Sequence, residues 1–81
     1  MYSLSNLSSL ADLTVGTTGR ISSIELNGLL RRRILDLGMV PGTQVQCIRR
    51  SPAGDPIAFR VRNTTIALRS DDASLIKISF M

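Results

Sequence analysis

The sequence predicts a small, mainly β barrel of about five short strands, with one α-helix after the first strand. Three observations predict this fold class. Apolar and polar residues alternate in several short runs, which is typical of half-buried strands. One stretch instead repeats its apolar residues at helical spacing. Turn-forming residues separate the runs, and a chain of 81 residues has room for a single core only.

The N-terminal part of the chain divides into a loose start and the beginning of the domain. Residues 1–9 are rich in Ser and are expected to be flexible, because chain termini fray unless they are tied down. The folded domain is therefore expected to span residues 10–81. Leu10 and Leu13 are expected to dock a short helical turn at its start.

A strand and a helix follow. The strand is predicted at residues 17–24, with Gly19 as the expected bulge that shifts the alternation of its apolar and polar residues. Asn27 is expected to cap the helix by accepting a backbone N–H bond. Gly38 is expected to end the helix in a left-handed conformation. The apolar stripe of the helix consists of Leu26, Leu30, Ile34 and Leu37.

The segment after the helix is a corner that carries apolar residues where polar ones are usual. Pro41-Gly42 predicts the centre of a type II turn, because Pro fixes the first dihedral and Gly supplies the positive one. Val40 is pushed extended by the following Pro, so its side chain and that of Met39 should point in different directions. Methionine suits both adaptable cores and adaptable surfaces, so either role remains open for Met39.

The rest of the chain predicts strands joined by tight turns. Asn63-Thr64 is the expected hairpin turn, since Asn tolerates positive φ, and Ser70 is expected to cap a short helical turn. One helix and tight hairpins fit an SH3-like or an OB-like barrel, with the helix covering one end. The inward positions expected in these strands are Val45, Cys47, Ile57, Phe59, Val61, Ile66, Leu68, Ile76, Ile78 and Phe80.

Composition limits the location and the partners. Ten Lys and Arg against six Asp and Glu make the chain basic, which favours partners with negative charge. Cys47 is the only cysteine, so an intrachain disulfide is excluded and a cytoplasmic location is the simplest expectation. No apolar run approaches the ~20 residues of a membrane span, so a membrane-spanning chain is not expected.

The residue types disfavour enzymatic chemistry. The chain has no His, which removes the commonest general base and metal ligand. Cys47 is expected inside the core, and the carboxylates are scattered near element ends. The Gly-containing loops lack the Gly-Lys-Ser/Thr ending of a P-loop. We therefore expect no catalytic residues, no cofactor and no tight metal site.

Two groups of arginines are candidates for binding. Arg31 to Arg33 lie on the helix, where such a run is usually a solvated face. Arg60, Arg62 and Arg69 fall on outward positions of two strands that are expected to pair, which predicts a basic stripe. The stripe could serve solubility, or it could bind an anion or a nucleic acid. The scarcity of aromatic residues weakens the nucleic-acid alternative.

The order of these features resembles the FeoA family of bacterial ferrous iron transport proteins. The resemblance covers nearly the whole chain after the loose start. It is carried by the Arg-rich helix running into "LGMVPG", by the "GDP" loop and by "IALRSDDASLI". It implies an SH3-like fold, similar also to the C-terminal domain of some iron-dependent repressors. It further implies a role with FeoB, a ferrous iron importer with a cytoplasmic GTPase domain. The family commonly has Gly at the hairpin tip, where this chain has Asn63.

These observations predict a cytoplasmic, non-enzymatic adaptor for the FeoB transporter. A small basic nucleic-acid-binding barrel and a divalent-metal-sensing module remain as alternatives, and weak self-association stays open. The corner and the exposed helix flank are the first candidate surface, and the basic stripe is the second. The candidate partner-binding residues are Arg31, Arg32, Met39, Val40, Arg60, Arg62 and Arg69.

Overall fold

The computed structural model describes residues 7–80. It contains six strands, two helices and one 3₁₀ turn. In chain order these elements are β1 (Leu7–Ser9), the 3₁₀ turn (Leu10–Asp12), β2 (Thr18–Ile24), α1 (Gly28–Asp36), β3 (Gln44–Arg50), β4 (Ile57–Val61), β5 (Thr64–Leu68), α2 (Ser70–Ala73) and β6 (Ile76–Phe80).

The domain begins earlier than the sequence predicted. Leu7–Ser9 pairs antiparallel with β6, so the expectation that these three residues are loose is wrong. Residues 1–6 lie outside the described part of the chain. The Ser9 backbone N–H donates to the Asp12 carboxylate at 3.0 Å, which ties the strand to the 3₁₀ turn. A Ser-rich strand of three residues has too little alternation to be recognised from sequence.

All six strands form one antiparallel sheet in the order β1-β6-β2-β3-β4-β5. The expected number of strands was about five, and β1 is the additional one, so α1 follows the second strand. Strands from β2 to β6 bury side chains in one hydrophobic cluster, which requires the sheet to curl around it. The expected turn residues Leu10 and Leu13 belong to this cluster and are fully buried, which confirms that prediction.

The bulge in β2 lies at Ser22 instead of Gly19. Ile21 is opposite Ile78 and Ser23 is opposite Lys77, so Ser22 is the extra residue. Gly19 has a different reason to be Gly: a Cβ there would lie 2.6 Å from Cδ1 of Ile78. The alternation does shift between two isoleucines, as expected, but the sequence could not separate a packing glycine from a bulge glycine.

Helix α1 buries the predicted stripe unevenly. Leu26, before the start of α1, and Ile34 are buried. Leu30 is half-buried against the core, and Leu37, at the C-cap, is half-buried. Asn27 occupies the N-cap position but makes no side-chain capping bond, so the expected bond is not formed. Leu29 is 85% exposed, which marks the face of α1 that points away from the core.

The later strands follow the predicted alternation. Eight of the ten predicted inward side chains are buried. The other two are Ile66, which is half-buried, and Phe80, whose side chain lies outside the described part of the chain. Ser70 does not form the expected side-chain cap of the short helix α2. Its N–H and hydroxyl instead donate to the Asp55 carboxylate, at 2.7 and 3.1 Å. Among the residues that the structure describes, no helix is long and apolar enough to cross a membrane.

Candidate functional site

The backbone of the corner from Gly38 to Gly42 explains which side chains it can expose. Gly38 has φ +97°, and its N–H donates to the carbonyl of Leu35 at 3.0 Å. The N–H of Met39 donates to the carbonyl of Ile34 at 3.1 Å. This pair of bonds is a Schellman motif, in which the residue after the left-handed glycine commonly packs on the helix residue five positions earlier. The geometry therefore turns Met39 back towards Ile34.

Met39 belongs to the core. Its side chain is fully buried in the same cluster as that of Ile34. The predicted contact of Met39 with a partner is therefore incompatible with this structure, and the core alternative is the one that the structure shows. Val40 is 37% exposed, so the two side chains do point in different directions, as predicted.

A type II-like turn completes the corner and holds it against β2. The N–H of Thr43 donates to the carbonyl of Val40 at 3.0 Å, and Gly42 has φ +95°, as predicted. The N–H of Gly42 donates to the carbonyl of Ile21 at 2.8 Å, and the N–H of Ile21 donates to the carbonyl of Thr43 at 2.9 Å. These reciprocal bonds hold the corner on the strand that carries Arg20.

Arg62 joins the β4–β5 hairpin to the corner. The expected hairpin turn at Asn63-Thr64 is shifted by one residue, because Val61 is opposite Thr64 and the two turn residues are Arg62 and Asn63. The residue with positive φ is Arg62, at +55°, and not Asn63. A Cβ on Gly38 would lie 2.9 Å from Nε of Arg62, so this side chain lies on the glycine at the end of α1. A positive charge is favourable there, next to the helix C-terminus.

The basic corner is a surface depression that combines both predicted candidate regions. The name also covers Arg20, which bonds to Gly42 of the lining, and Val40, which belongs to the same turn as Gly42 and Thr43. The depression has a volume of about 550 Å³ and contains two of the predicted arginines. Its lining residues are Thr18, Gly42, Thr43, Gln44, Gln46, Arg60 and Arg62.

Strand register brings the side chains of the basic corner together. Gln46 is opposite both Thr18 and Arg60, and Gln44 is opposite Arg20. Arg20, Arg60 and Arg62 are all exposed, and Nη1 of Arg20 reaches the carbonyl of Gly42 at 3.5 Å. Guanidinium groups beside amide and hydroxyl side chains can hold a carboxylate or a phosphate through charge-assisted hydrogen bonds.

Three predicted arginines do not reach the basic corner. Arg69 is exposed, as predicted, but it follows the end of β5 that is paired with Ile57. It therefore lies at the opposite end of the hairpin from Arg62 and does not form one compact group with Arg60 and Arg62. Arg31 donates from Nη1 to the carbonyl of Ile24 at 2.7 Å and fastens α1 to β2. Arg32 is exposed on α1.

Two arginines that the structure places at informative positions were not singled out from the sequence. Arg20 is distant in sequence from Arg60, and only the strand register brings them to one face. Arg50 is half-buried and donates to the carbonyls of Ala11 and Leu13 at 2.6 and 2.9 Å. Its role is structural, since it ties β3 to the segment around the 3₁₀ turn.

The described residues offer little for a metal ion. Within residues 7–80, no three His, Cys, Asp or Glu side chains come together. Burial raises the pKa of the Cys47 thiol, although the charge of Arg50 opposes the effect. A buried, neutral thiol is a poor ligand, because the thiolate is the form that binds metals.

We predict that the chain by itself has no tight site for ferrous iron. Anaerobic calorimetry with ferrous ion should show at most weak binding, because hard carboxylate ligands are scattered and the thiol is buried. Saturation in the low-micromolar range, at one ion per chain, would contradict this prediction. It would indicate ligands shared with a partner protein or between two copies of the chain.

The sequence matches a known family along most of its length. The FeoA domain family model matches residues 8–79, which include every element that builds the basic corner.

The chain belongs to the FeoA family.

Similar proteins in this family agree in sequence and in fold. A fusion of Fe(2+) transport protein A with the Fe(2+) transporter FeoB, from Porphyromonas gingivalis, is 31% identical over 72 residues. These residues are 89% of this chain but only 8% of the fusion protein. The solution structure of the FeoA protein from Chlorobium tepidum has a TM-score of 0.86 at 29% identity, covering 90% of this chain and 70% of that one.

A third similar protein connects the family with the fold predicted from the sequence. FeoA from Stenotrophomonas maltophilia, an SH3 domain protein crystallised with zinc, has a TM-score of 0.77 at 28% identity. The match covers 88% of each chain. The predicted SH3-like fold is thus confirmed, and the OB-like alternative is set aside.

Proposed function

We propose that this chain is an accessory protein of ferrous iron uptake that binds the cytoplasmic part of the FeoB transporter through the basic corner, without catalysing a reaction. The observation that carries the proposal is the convergence of Arg20, Arg60 and Arg62 on one face of the sheet, next to the corner that exposes Val40. An apolar side chain rimmed by positive charge is suited to a partner surface with an apolar contact and acidic neighbours.

Two further facts support a transporter as the partner. The chain belongs to a family whose domain is joined covalently to the FeoB transporter in the fusion protein of P. gingivalis. A covalent fusion keeps two domains at high local concentration, which benefits domains that act together. A partner could bind the basic corner without disturbing the core, because the arginines and Val40 are exposed while Met39 is buried.

The alternatives have weaker support. A nucleic acid could bind the same arginines, but the residues lining the depression include no aromatic side chain on which a base could stack. A metal-sensing role would need a ligand cluster, and residues 7–80 bring no such cluster together. A protein partner therefore accounts best for the mixture of an exposed valine with arginines.

Reversing one charge in the basic corner should weaken transporter binding. We expect Arg60→Glu to lower the affinity for the purified cytoplasmic domain of FeoB by about tenfold or more, because it replaces attraction by repulsion at a rim contact. The affinity of the unmodified chain should also fall with added salt.

Arg49→Glu is the matched control for this measurement. Arg49 is exposed on β3 opposite Ala58, outside the depression, and its reversal changes the net charge by the same amount. Equal losses in both variants would show that only net charge matters. Undiminished binding by a folded Arg60→Glu variant would exclude the basic corner as the interface. Salt-sensitive retention of the unmodified chain on a DNA column, without FeoB binding, would favour the nucleic-acid alternative.

A further inference from the structure

Strand β5 is an open edge of the sheet. In the described part of the chain, β5 pairs with β4 on one side and with no strand on the other. Its sequence, TTIAL, contains no charged residue and no Pro. Edge strands of natural proteins usually carry such residues because they prevent pairing with other chains. β5 therefore keeps its edge available for pairing.

The register identifies the backbone groups on the open edge. Val61 and Thr64 flank a two-residue turn, so they form a hydrogen-bonded pair. Hydrogen-bonded pairs recur at every second residue of an antiparallel ladder. The backbone N–H and C=O groups of Ile66 and Leu68 therefore point towards β4, as those of Thr64 do. The N–H and C=O groups of Thr65 and Ala67 consequently point away from β4, towards the open edge.

A groove runs along β5 beside this edge. It has a volume of about 420 Å³ and is lined by the whole of β5, by Leu30 and Arg33 of α1, and by Leu37 at the C-cap of α1. Leu30, Leu37 and Ile66 are half-buried, so the floor of the groove is partly apolar. An added strand would direct every second side chain towards this floor.

The charges around the groove indicate the chemistry of its occupant. Arg33 lies within the groove, while Arg62 precedes β5 and Arg69 follows it. All three side chains are exposed. A second copy of this chain, paired through its own β5, would bring the same three positive charges to the interface and would be repelled. An acidic segment would be attracted to them.

We propose that β5 accepts an extended segment of a partner protein as an additional strand, and that this segment alternates apolar and acidic residues. Backbone bonds to Thr65 and Ala67 supply the pairing, while Leu30, Leu37 and Ile66 receive the apolar side chains. The site is distinct from the lining of the basic corner except for the nearby Arg62, and it does not depend on FeoB being the partner.

A synthetic peptide can test the proposal directly. The probe is an eight-residue peptide with alternating Glu and Val, blocked at both ends, and the control peptide has Lys in place of Glu. We expect the acidic peptide to bind with a Kd of about 100 μM, a modest affinity suited to one short added strand. Binding should slow hydrogen exchange at the amides of Thr65 and Ala67, as measured by NMR.

Two matched helix variants test the groove. Arg33→Glu should weaken peptide binding by about tenfold, because it reverses one of the three positive charges that attract the acidic peptide. Arg32→Glu reverses the neighbouring exposed charge, which does not line the groove, and should leave the affinity within about twofold. Thermal unfolding of both variants confirms that they are folded.

Several outcomes would overturn the proposal. They are no binding at about 1 mM peptide, equal binding of the Lys peptide, equal effects of the two variants, and protection confined to amides outside β5. Concentration-dependent protection of Thr65 and Ala67 without peptide would identify a second copy as the occupant and would also overturn it. None of these results bears on the Arg60→Glu measurement with FeoB, so the two proposals can fail separately.

Discussion

Met39→Asp is expected to unfold the domain or to leave it barely stable. The substitution places a carboxylate where the side chain is fully buried, and it removes an apolar side chain from the cluster that also contains Ile34. Burying an unpaired charge in a core costs about 4 kcal/mol or more. A domain of this size has a total stability of roughly 4–12 kcal/mol. Circular dichroism during thermal unfolding measures the loss.

Val40→Asp is the matched control, one residue further along the same corner. Val40 is partly exposed, so the new carboxylate remains in water and the melting temperature should change little. The same variant should bind the cytoplasmic domain of FeoB less well if the basic corner is the interface, because it replaces an apolar contact. A Met39→Asp protein as stable as the unmodified chain would contradict the burial of Met39.

Ile34→Ala is expected to produce the second largest loss of stability. Ile34 is fully buried, and its carbonyl accepts the bond from the N–H of Met39 that closes the Schellman motif. Truncating a buried isoleucine to alanine costs about 2–5 kcal/mol, since it removes apolar contacts and leaves a cavity. The midpoint of urea unfolding should therefore fall by about 1 M or more.

Leu29→Ala provides the comparison on the same helix. Leu29 is 85% exposed, and alanine is at least as good a helix former, so the unfolding free energy should change by about 0.5 kcal/mol or less. Equal midpoints for Ile34→Ala and the unmodified chain would show that α1 does not anchor to the core through Ile34. Equal losses in both variants would indicate that the orientation of α1 is wrong.

Local patterns predicted much of the fold because the responsible forces act within a few residues. The alternation around Phe59 and the helical stripe around Ile34 each follow from burying one face of a local element. The sequence also carries a local signal for the position of Met39. A left-handed glycine at a helix end commonly places the next residue against the helix, so Gly38 already favoured a buried Met39.

Other errors arose where local preference competed with packing. Asn63 tolerates positive φ better than most residues, yet the structure assigns that conformation to Arg62, because the pairing of Val61 with Thr64 sets the turn. Gly19 suggested a bulge, but it is required for the approach of Ile78 from a strand at the other end of the chain. A single local pattern could not reveal either of these long-range constraints.

The sequence by itself determined a small basic β domain with one helix, a corner at Gly38 to Gly42, and arginines at outward positions. Only the tertiary structure decided which arginines belong together, that Met39 lies inside, and that β5 has an open edge. The reason is register: Arg20 and Arg60 become neighbours because β2 and β4 both pair with β3, while Arg69 is carried to the far end of its hairpin. Alternation specifies which face of a strand a residue occupies, but only the pairing of strands distant in sequence specifies its neighbours on that face.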